Sequence, residues 1–435
     1  MDRIGPDAAA LLAAPPVSVR SNDVEYPYRQ HSDLLYLTGF PEPECVCLLI
    51  PGRPNEEFVM FVRPRDAERE TWTGYRAGVD GVRELCGAQA AHPVDKLDEL
   101  INEYVGGRDR LYYTFGHDRA FNERVLSWMR QWQQLRPRTG AGPMATLDLG
   151  DVLHEMRLVK GEEEIALMRR ALAITAEAHA TAMRSVRPDW HEYEVEALVD
   201  YTFRRGGATG PAYPSICAAG ANATVLHYTS NAARLADGDL LLIDAGAEYG
   251  GYCADVTRTF PVAARFTAPQ RAIYEVVLSA QTAAIAAVQP GVPFDAPHAA
   301  AVGVLVDGLR DLGLLAGDGQ ELIEQEAYRP FYMHRTSHWL GMDVHDVGKY
   351  KVQGAARVLE PGMVLTIEPG LYVGGERPEV DPAYRGIGVR IEDDVMVTAT
   401  GHEVLSEAVP KRVADVEALR AEAVSARRAT PGGSG

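Results

Sequence analysis

Five side chains in the second half of the chain, Asp244, Asp255, His338, Glu368 and Glu392, are of types that hold metal ions, and each lies in an apolar stretch. Carboxylates are almost never fully buried unless they are paired or bound to a metal. Four of them beside one imidazole form a cage for two hard divalent cations, whose charge balances theirs. With oxygen donors dominant, the set favours Mn²⁺ or a similar hard metal over the thiolate-rich sites of structural zinc. Two such cations can share a water, lower its pKa and act on a carbonyl near neutral pH, so the chemistry indicated is metal-assisted hydrolysis.

The elements that would position these groups are short and β-rich. Residues 239–246 form an apolar run ending on Asp244, Tyr249-Gly250-Gly251 supplies a turn, and residues 252–261 (YCADVTRTFP) read as a returning strand. A two-residue loop at Tyr249-Gly250 would pair Glu248 with Gly251 and set Asp244 directly opposite Asp255, with β-carbons roughly 4.5–5.5 Å apart. Like charges so placed need a cation or a proton between them. A surface hairpin with two solvated aspartates is the alternative, opposed by the apolar neighbours Leu241, Leu242, Ile243 and Val256. Residues 364–368 form a second apolar run that ends on Glu368 before Pro369-Gly370. In residues 388–392, period-two alternation puts Arg390 and Glu392 on one face, where an internal ion pair is the plainer reading. His334, His338 and His345 crowd one segment. The first two have the i, i+4 spacing of a zinc helix, but no Glu follows His334, so the HExxH pattern is absent.

The ordered set Asp244, Asp255, HWLGMDVHD, TIEPG and GVRIEDD resembles the dinuclear metallopeptidases of the pita-bread fold, a group that includes methionine aminopeptidase, prolidase and aminopeptidase P. The segment EYPYRQHSD at residues 25–33, followed by YLTGF at 36–40, is similar to the amino-terminal domain of bacterial aminopeptidase P. The resemblance spans about residues 20–410 and fills every metal-ligand position. It implies an α/β (α+β) architecture: a pita-bread catalytic domain of pseudo-two-fold αβ halves, preceded by a smaller α/β domain. It also implies that Asp255 and Glu392 bridge two ions, that Asp244 ligates one, and that His338 and Glu368 ligate the other. Glu368 would move the proton toward the leaving nitrogen. His345 would donate to the developing oxyanion and His227 would flank the substrate, although a core histidine is the other reading of His227. His334 and Arg390 would line the site beyond the scissile bond. Members of the family often form dimers or tetramers in which a neighbour's small domain closes the site, and Trp72 matches a position used that way; a core role is its alternative.

The implied activity is release of the residue that precedes a proline, by attack of activated hydroxide on the Xaa-Pro carbonyl. That bond is a tertiary amide without an N–H, which general peptidases handle poorly. A prolidase restricted to Xaa-Pro dipeptides is the runner-up, and an inert peptide-binding module is a remote third reading, opposed by the intact ligand set.

Length and composition fit this picture. A chain of 435 residues exceeds one typical core. We expect an amino-terminal domain over residues 1–150 and a catalytic domain over 151–435, with Thr139–Pro143 as the linker and a disordered tail from about residue 428. The net charge of −18 argues against nucleic acid or anionic membranes as partners. No stretch approaches the roughly 20 apolar residues of a membrane span, and AAALLAAPPV near the start lacks a cationic leader. Five cysteines (45, 47, 86, 217 and 253) form no paired framework, so a cytoplasmic location is expected. Cys45 and Cys47 read as small strand residues rather than a metal clip, and Cys253 is given no role.

Repetition is visible too. Helices over about 161–186 and 192–205, then over 269–288 and 297–312, each precede a β-rich half that bears metal-ligand candidates.

Overall fold

A computed structural model describes residues 1–429 of the chain, with side chains to residue 422. The chain forms two compact units, residues 1–156 and residues from 157 onward. In the first, a mixed six-stranded sheet runs in the order Ala90–Pro93, Phe58–Val62, Val46–Leu49, Ala8–Ala13, Arg110–Tyr112, Ala145–Leu147. The run AAALLA is an inner strand of this sheet. Ala9 and Leu11 enter one apolar cluster while Ala8, Ala10 and Leu12 enter another, so both faces are covered and the strand reads as continuously apolar. The glycine-rich segment at 139–143 is not the joint between the units. It caps the helix Arg119–Thr139, with Gly140 at φ 71°, and leads into the last strand of the same sheet. Glycine just past a helix end carries the same composition signal as a linker. The division between the units falls inside the helix Gly150–Leu158.

The second unit is built from two successive repeats. Helices Glu162–Ser185 and Glu192–Arg205 precede an antiparallel sheet ordered Ile216–Ala219, Leu240–Asp244, Thr257–Pro261. Helices Ala268–Ala286 and Ala296–Asp311 precede a second, ordered Val364–Ile367, Asp393–Val397, His402–Val404. The helix starts follow from local chemistry. The Glu164 carboxylate accepts from the Gly161 N–H at 2.8 Å, and the Gln270 side chain accepts from the Thr267 N–H at 2.9 Å. One large apolar cluster, including Phe203, Phe260, Tyr274, Trp339 and Ile391, joins helices and strands of both repeats.

The first hairpin differs from its expected register. Tyr249 pairs with Tyr252, and Asp244 lies opposite Thr257 rather than Asp255. The loop is Gly250-Gly251, at φ 60° and 82°. Both central positions of such a turn need positive φ, which glycine adopts freely and Tyr249 does not. The shift keeps the parity of the strand, and Asp255 sits in the gap between Tyr252–Cys253 and Thr257–Pro261. Nor do His334 and His338 lie on a helix. Their segment has no helix, and its one ladder contact is the isolated bridge from Trp339 to Leu365. The last helix, Val413–Ala429, reaches into the expected disordered tail, whose remaining residues 430–435 lie outside the described residues.

Candidate active site

The carboxylates stand where the strands of the second unit end. Asp244 closes Leu240–Asp244, Glu368 follows Val364–Ile367, and Glu392 sits between Ile387–Arg390 and Asp393–Val397. Main-chain bonds set them in place: the Glu368 N–H donates to Thr336 O at 2.8 Å, and the Glu392 N–H to Thr257 O at 3.1 Å. The Asp255 N–H donates to the Asp394 carboxylate at 3.0 Å, so one acidic side chain orients the backbone of another.

All four carboxylates and His338 line one cavity of about 760 Å³, together with His227, His334, His345 and Arg390. Trp72 does not line it; this residue belongs to the first unit, on the helix Ala67–Thr73, and is 83% exposed. Cys253 is buried with its thiol toward Met342 O at 3.4 Å, and it is not among the cavity's lining residues.

Arg390 forms its ion pair with Asp244, at 2.6 Å, rather than with Glu392. Its other nitrogens donate to Tyr372 Oη at 3.0 Å and Thr257 Oγ1 at 3.1 Å. The Thr257 hydroxyl in turn donates to Glu392 at 2.7 Å. Tyr213 is an addition to the site. Its hydroxyl lies 2.6 Å from Asp244 and 2.5 Å from Asp255. Burial, then the charge of the neighbouring acids, holds its phenol well above the ordinary value, so it stays a donor. No periodicity marks Tyr213 in the sequence, where it stands just past the two-residue strand Gly210–Pro211, between Ala212 and Pro214. Tyr372, which also contacts His334 at 2.8 Å, likewise gave no signal of its own.

His338 is oriented from behind. Its Nδ1 lies 3.0 Å from Trp339 O, which only accepts, so Nδ1 carries a proton. Nε2 then faces Asp255 at 3.3 Å and Glu368 at 3.7 Å. Burial opposes a charge on this ring, yet Asp255 and Glu368 outweigh it and push its pKa up to about 9. Burial lifts Glu368 to about 7 against the attraction of His338 and Arg390, and lifts Glu392 well above the carboxylate range with help from Asp255 and Glu368. His334 moves the other way, down to about 3, through burial and the nearby Arg390. His345 is lowered by burial and by His338, whose ring it meets edge-on at 4.3 Å.

This donor set fits divalent cations. Asp255, His338 and Glu392 present ligand atoms within 4.8 Å of one another. The protons that Glu368, Glu392 and His338 retain are the response of crowded, buried carboxylates to a shortage of positive charge, which bound cations would supply.

A cavity with a carboxylate–imidazole cage and histidines set around it defines a metallohydrolase. Residues 166–399 match the model of metallopeptidase family M24, and residues 1–113 match the aminopeptidase P N-terminal domain. The chain belongs to family M24, and use of divalent metal follows from that membership. It is 44% identical over 420 residues to the Xaa-Pro aminopeptidase of Escherichia coli, covering 96% of this chain and 95% of that one. Among solved structures it resembles an aminopeptidase of Pseudomonas aeruginosa, with TM-score 0.95 and 50% identity over 98% of this chain and 96% of that one. It also resembles an Escherichia coli aminopeptidase P variant in complex with substrate, with TM-score 0.93 and 44% identity over 97% and 96%. The α/β architecture of an amino-terminal domain followed by a pita-bread catalytic domain is shared with these structures.

Proposed function

We propose that the chain is a metal-dependent exopeptidase that releases the N-terminal residue from peptides with proline in second position. The observation that carries this reading is the convergence of four carboxylates, His338 and three further histidines in one cavity. Similarity to Xaa-Pro aminopeptidases over nearly the whole chain, including the aminopeptidase P-type first domain, directs the specificity.

Asp255 and Glu392 would bridge two ions, with Asp244 on one and His338 and Glu368 on the other. Mn²⁺ suits a cage of oxygens and one imidazole without thiolate. Bound there, divalent cations supply Lewis acidity, which activates water and polarises the scissile carbonyl. Glu368, poised at about 7, is suited to take a proton from the attacking water and pass it to the proline nitrogen. His345 lines the cavity as the donor to the carbonyl oxygen, and His227 flanks the substrate. His334 and Arg390 line the same cavity and would meet the residues beyond the scissile bond. An acidic floor also meets the cationic amine of the peptide, which favours a free N-terminus.

The five free cysteines are compatible with a reducing cytoplasm. Trp72 and Tyr75, 83% and 91% exposed, offer an aromatic surface for a homodimer or homotetramer.

The test adds Mn²⁺ to chelated protein and analyses products by mass spectrometry. Xaa-Pro-Xaa should lose its first residue, while Xaa-Ala-Xaa and N-acetylated Xaa-Pro-Xaa should be cut far more slowly. Rapid hydrolysis of Xaa-Pro dipeptides with survival of tripeptides would make the protein a prolidase instead. Full turnover by metal-free protein would remove the dinuclear reading.

A further inference from the structure

His227 and His345 line the cavity but stand outside the proposed ligand set. Both rings are exposed on segments with neither helix nor strand, and neither imidazole has a hydrogen bond among the described residues. Such a ring would sample many positions unless the segment beneath it were held. In each case the holding group is a buried carboxylate next to the histidine's own stretch of chain.

Around His227 the holder is Glu192, at the first turn of the helix Glu192–Arg205 and 0% exposed. Its Oε1 accepts from the Ala219 N–H at 2.8 Å and Asn222 Nδ2 at 2.9 Å. Oε2 accepts from Tyr228 Oη at 2.8 Å and the Ala233 N–H at 2.7 Å. These four donors bracket His227 on both sides, and one belongs to the residue that follows it.

Around His345 the holder is Asp346. Its carboxylate is gripped by Arg157 at 2.5 Å and Lys160 at 3.0 Å, with the three side chains 2% exposed or less. Arg157 also reaches Asp343 at 2.8 Å, so the short stretch carrying His345 is clamped twice. The Asp346 N–H donates to Trp339 O at 2.9 Å, tying the clamp to the residue after His338. Gly341 leaves the room this requires, since a β-carbon there would fall 2.1 Å from the Asp346 carboxylate and 2.8 Å from Lys160 Cε. Charges so deeply buried are costly unless mutually paired, and any shift of the stretch breaks the pairing.

We propose that Glu192 and Asp346 are positioning residues, each aiming one histidine at the substrate: Glu192 acts through His227 and Asp346 through His345. The inference rests on the peptidase reading above, in which those two histidines meet the peptide.

Crossed double-mutant cycles test it. His345→Ala should lower kcat by about 10²–10³-fold, the usual effect of removing an oxyanion donor. Asp346→Asn should lower it by about 10–10²-fold through misplacement of that donor. The two together should be no worse than His345→Ala alone, whereas Asp346→Asn should exert its full loss in a His227→Ala background. Glu192→Gln should show the reverse: full loss beside His345→Ala, none beside His227→Ala. Equal losses in both backgrounds would mean that the carboxylates serve only the fold, and would overturn the proposal.

Imidazole ¹H–¹⁵N resonances of the zinc-loaded protein give a readout that needs no turnover. Asp346→Asn should move the His345 signals and spare those of His227, and Glu192→Gln should do the opposite. A wild type inactive on Xaa-Pro-Xaa would sink the peptidase reading, while these signals would still decide the positioning. If Asp346→Asn does not fold, Lys160→Met, which removes one of the two cations on Asp346, enters the same cycle with a smaller expected loss of about 10-fold.

Discussion

The two halves of the catalytic unit place their acids at equivalent points but treat them differently. Asp244 ends one strand and Asp255 precedes its antiparallel neighbour; Glu368 follows one strand and Glu392 precedes its neighbour. Between the members of each pair lies a hairpin, over residues 245–256 in the first half and 369–391 in the second. The aspartate half is furnished with protein donors. Arg390 lies 2.6 Å from Asp244, and the Tyr213 hydroxyl touches both aspartates. The glutamate half has the Thr257 hydroxyl on Glu392 and, around Glu368, the more distant His334 and His338 at 3.7 Å. Its acids accordingly favour their protonated forms, with Glu368 lifted to about 7 and Glu392 raised well above the ordinary carboxylate value, in both cases by burial first. The repeat therefore fixes where the carboxylates stand, while the donors around them decide which half depends more on bound cations.

The largest effect should come from breaking the equivalence at its centre. Asp255→Asn and Glu392→Gln remove one proposed bridging carboxylate from each half. A neutral amide cannot offset the repulsion between two cations, so each variant should lose at least one ion by elemental analysis and nearly all turnover. Two tightly held ions in either variant would show that the halves do not share the bridging role.

A smaller effect should sharpen the difference between the halves. Tyr213→Phe deletes the donor that serves only the aspartate pair, leaving Glu368 and Glu392 untouched. Groups that orient metal ligands typically contribute about 10–100-fold in metal affinity or activity. We expect a loss near the lower end of that range, about 10-fold in metal affinity measured by titration, because Arg390 still holds Asp244. Affinity equal to wild type would mean that the aspartate half needs no donor beyond Arg390.

Much of this organisation was legible in the sequence, and the exceptions share a cause. The helix pairs were visible because their caps are local: Glu164 reaches back to Gly161 and Gln270 to Thr267. The five candidate ligand residues, which the structure brings to one cavity, stand out in the sequence because acids within apolar runs are rare. The partner of Arg390 was misread because period-two alternation relates residues along one strand, whereas Asp244 comes from a strand of the other half. Tyr213, Tyr372 and the clamp of Arg157 and Lys160 on Asp346 are pairings between side chains far apart in the chain. No spacing rule relates residue 157 to residue 346. The hairpin register slipped because the choice between Tyr249-Gly250 and Gly250-Gly251 depends on which two residues accept positive φ, a backbone property that composition only hints at.

The smallest effect concerns the protons that the glutamate half retains without cations. Glu368 rises from 4.5 to about 7 in the fold, and His338 from 6.5 to about 9. A raised carboxyl contributes stability that is complete below its unfolded pKa and is lost as pH climbs through the folded one. A raised imidazole behaves the same way, with stability intact below 6.5 and lost as pH rises through about 9. Both contributions fall in the same direction, so the metal-free protein should melt a few degrees lower at about pH 9 than at about pH 5. Divalent cations compete with those same protons, so their stabilising effect should grow over that window and flatten the curve of the loaded protein. Glu368→Gln should flatten the metal-free curve as well, since an amide has no proton to lose. Scanning calorimetry of chelated and loaded protein across this range decides the matter. A metal-free Tm that rises with pH would mean that the glutamate half is not short of positive charge, and the contrast between the two halves would fail with it.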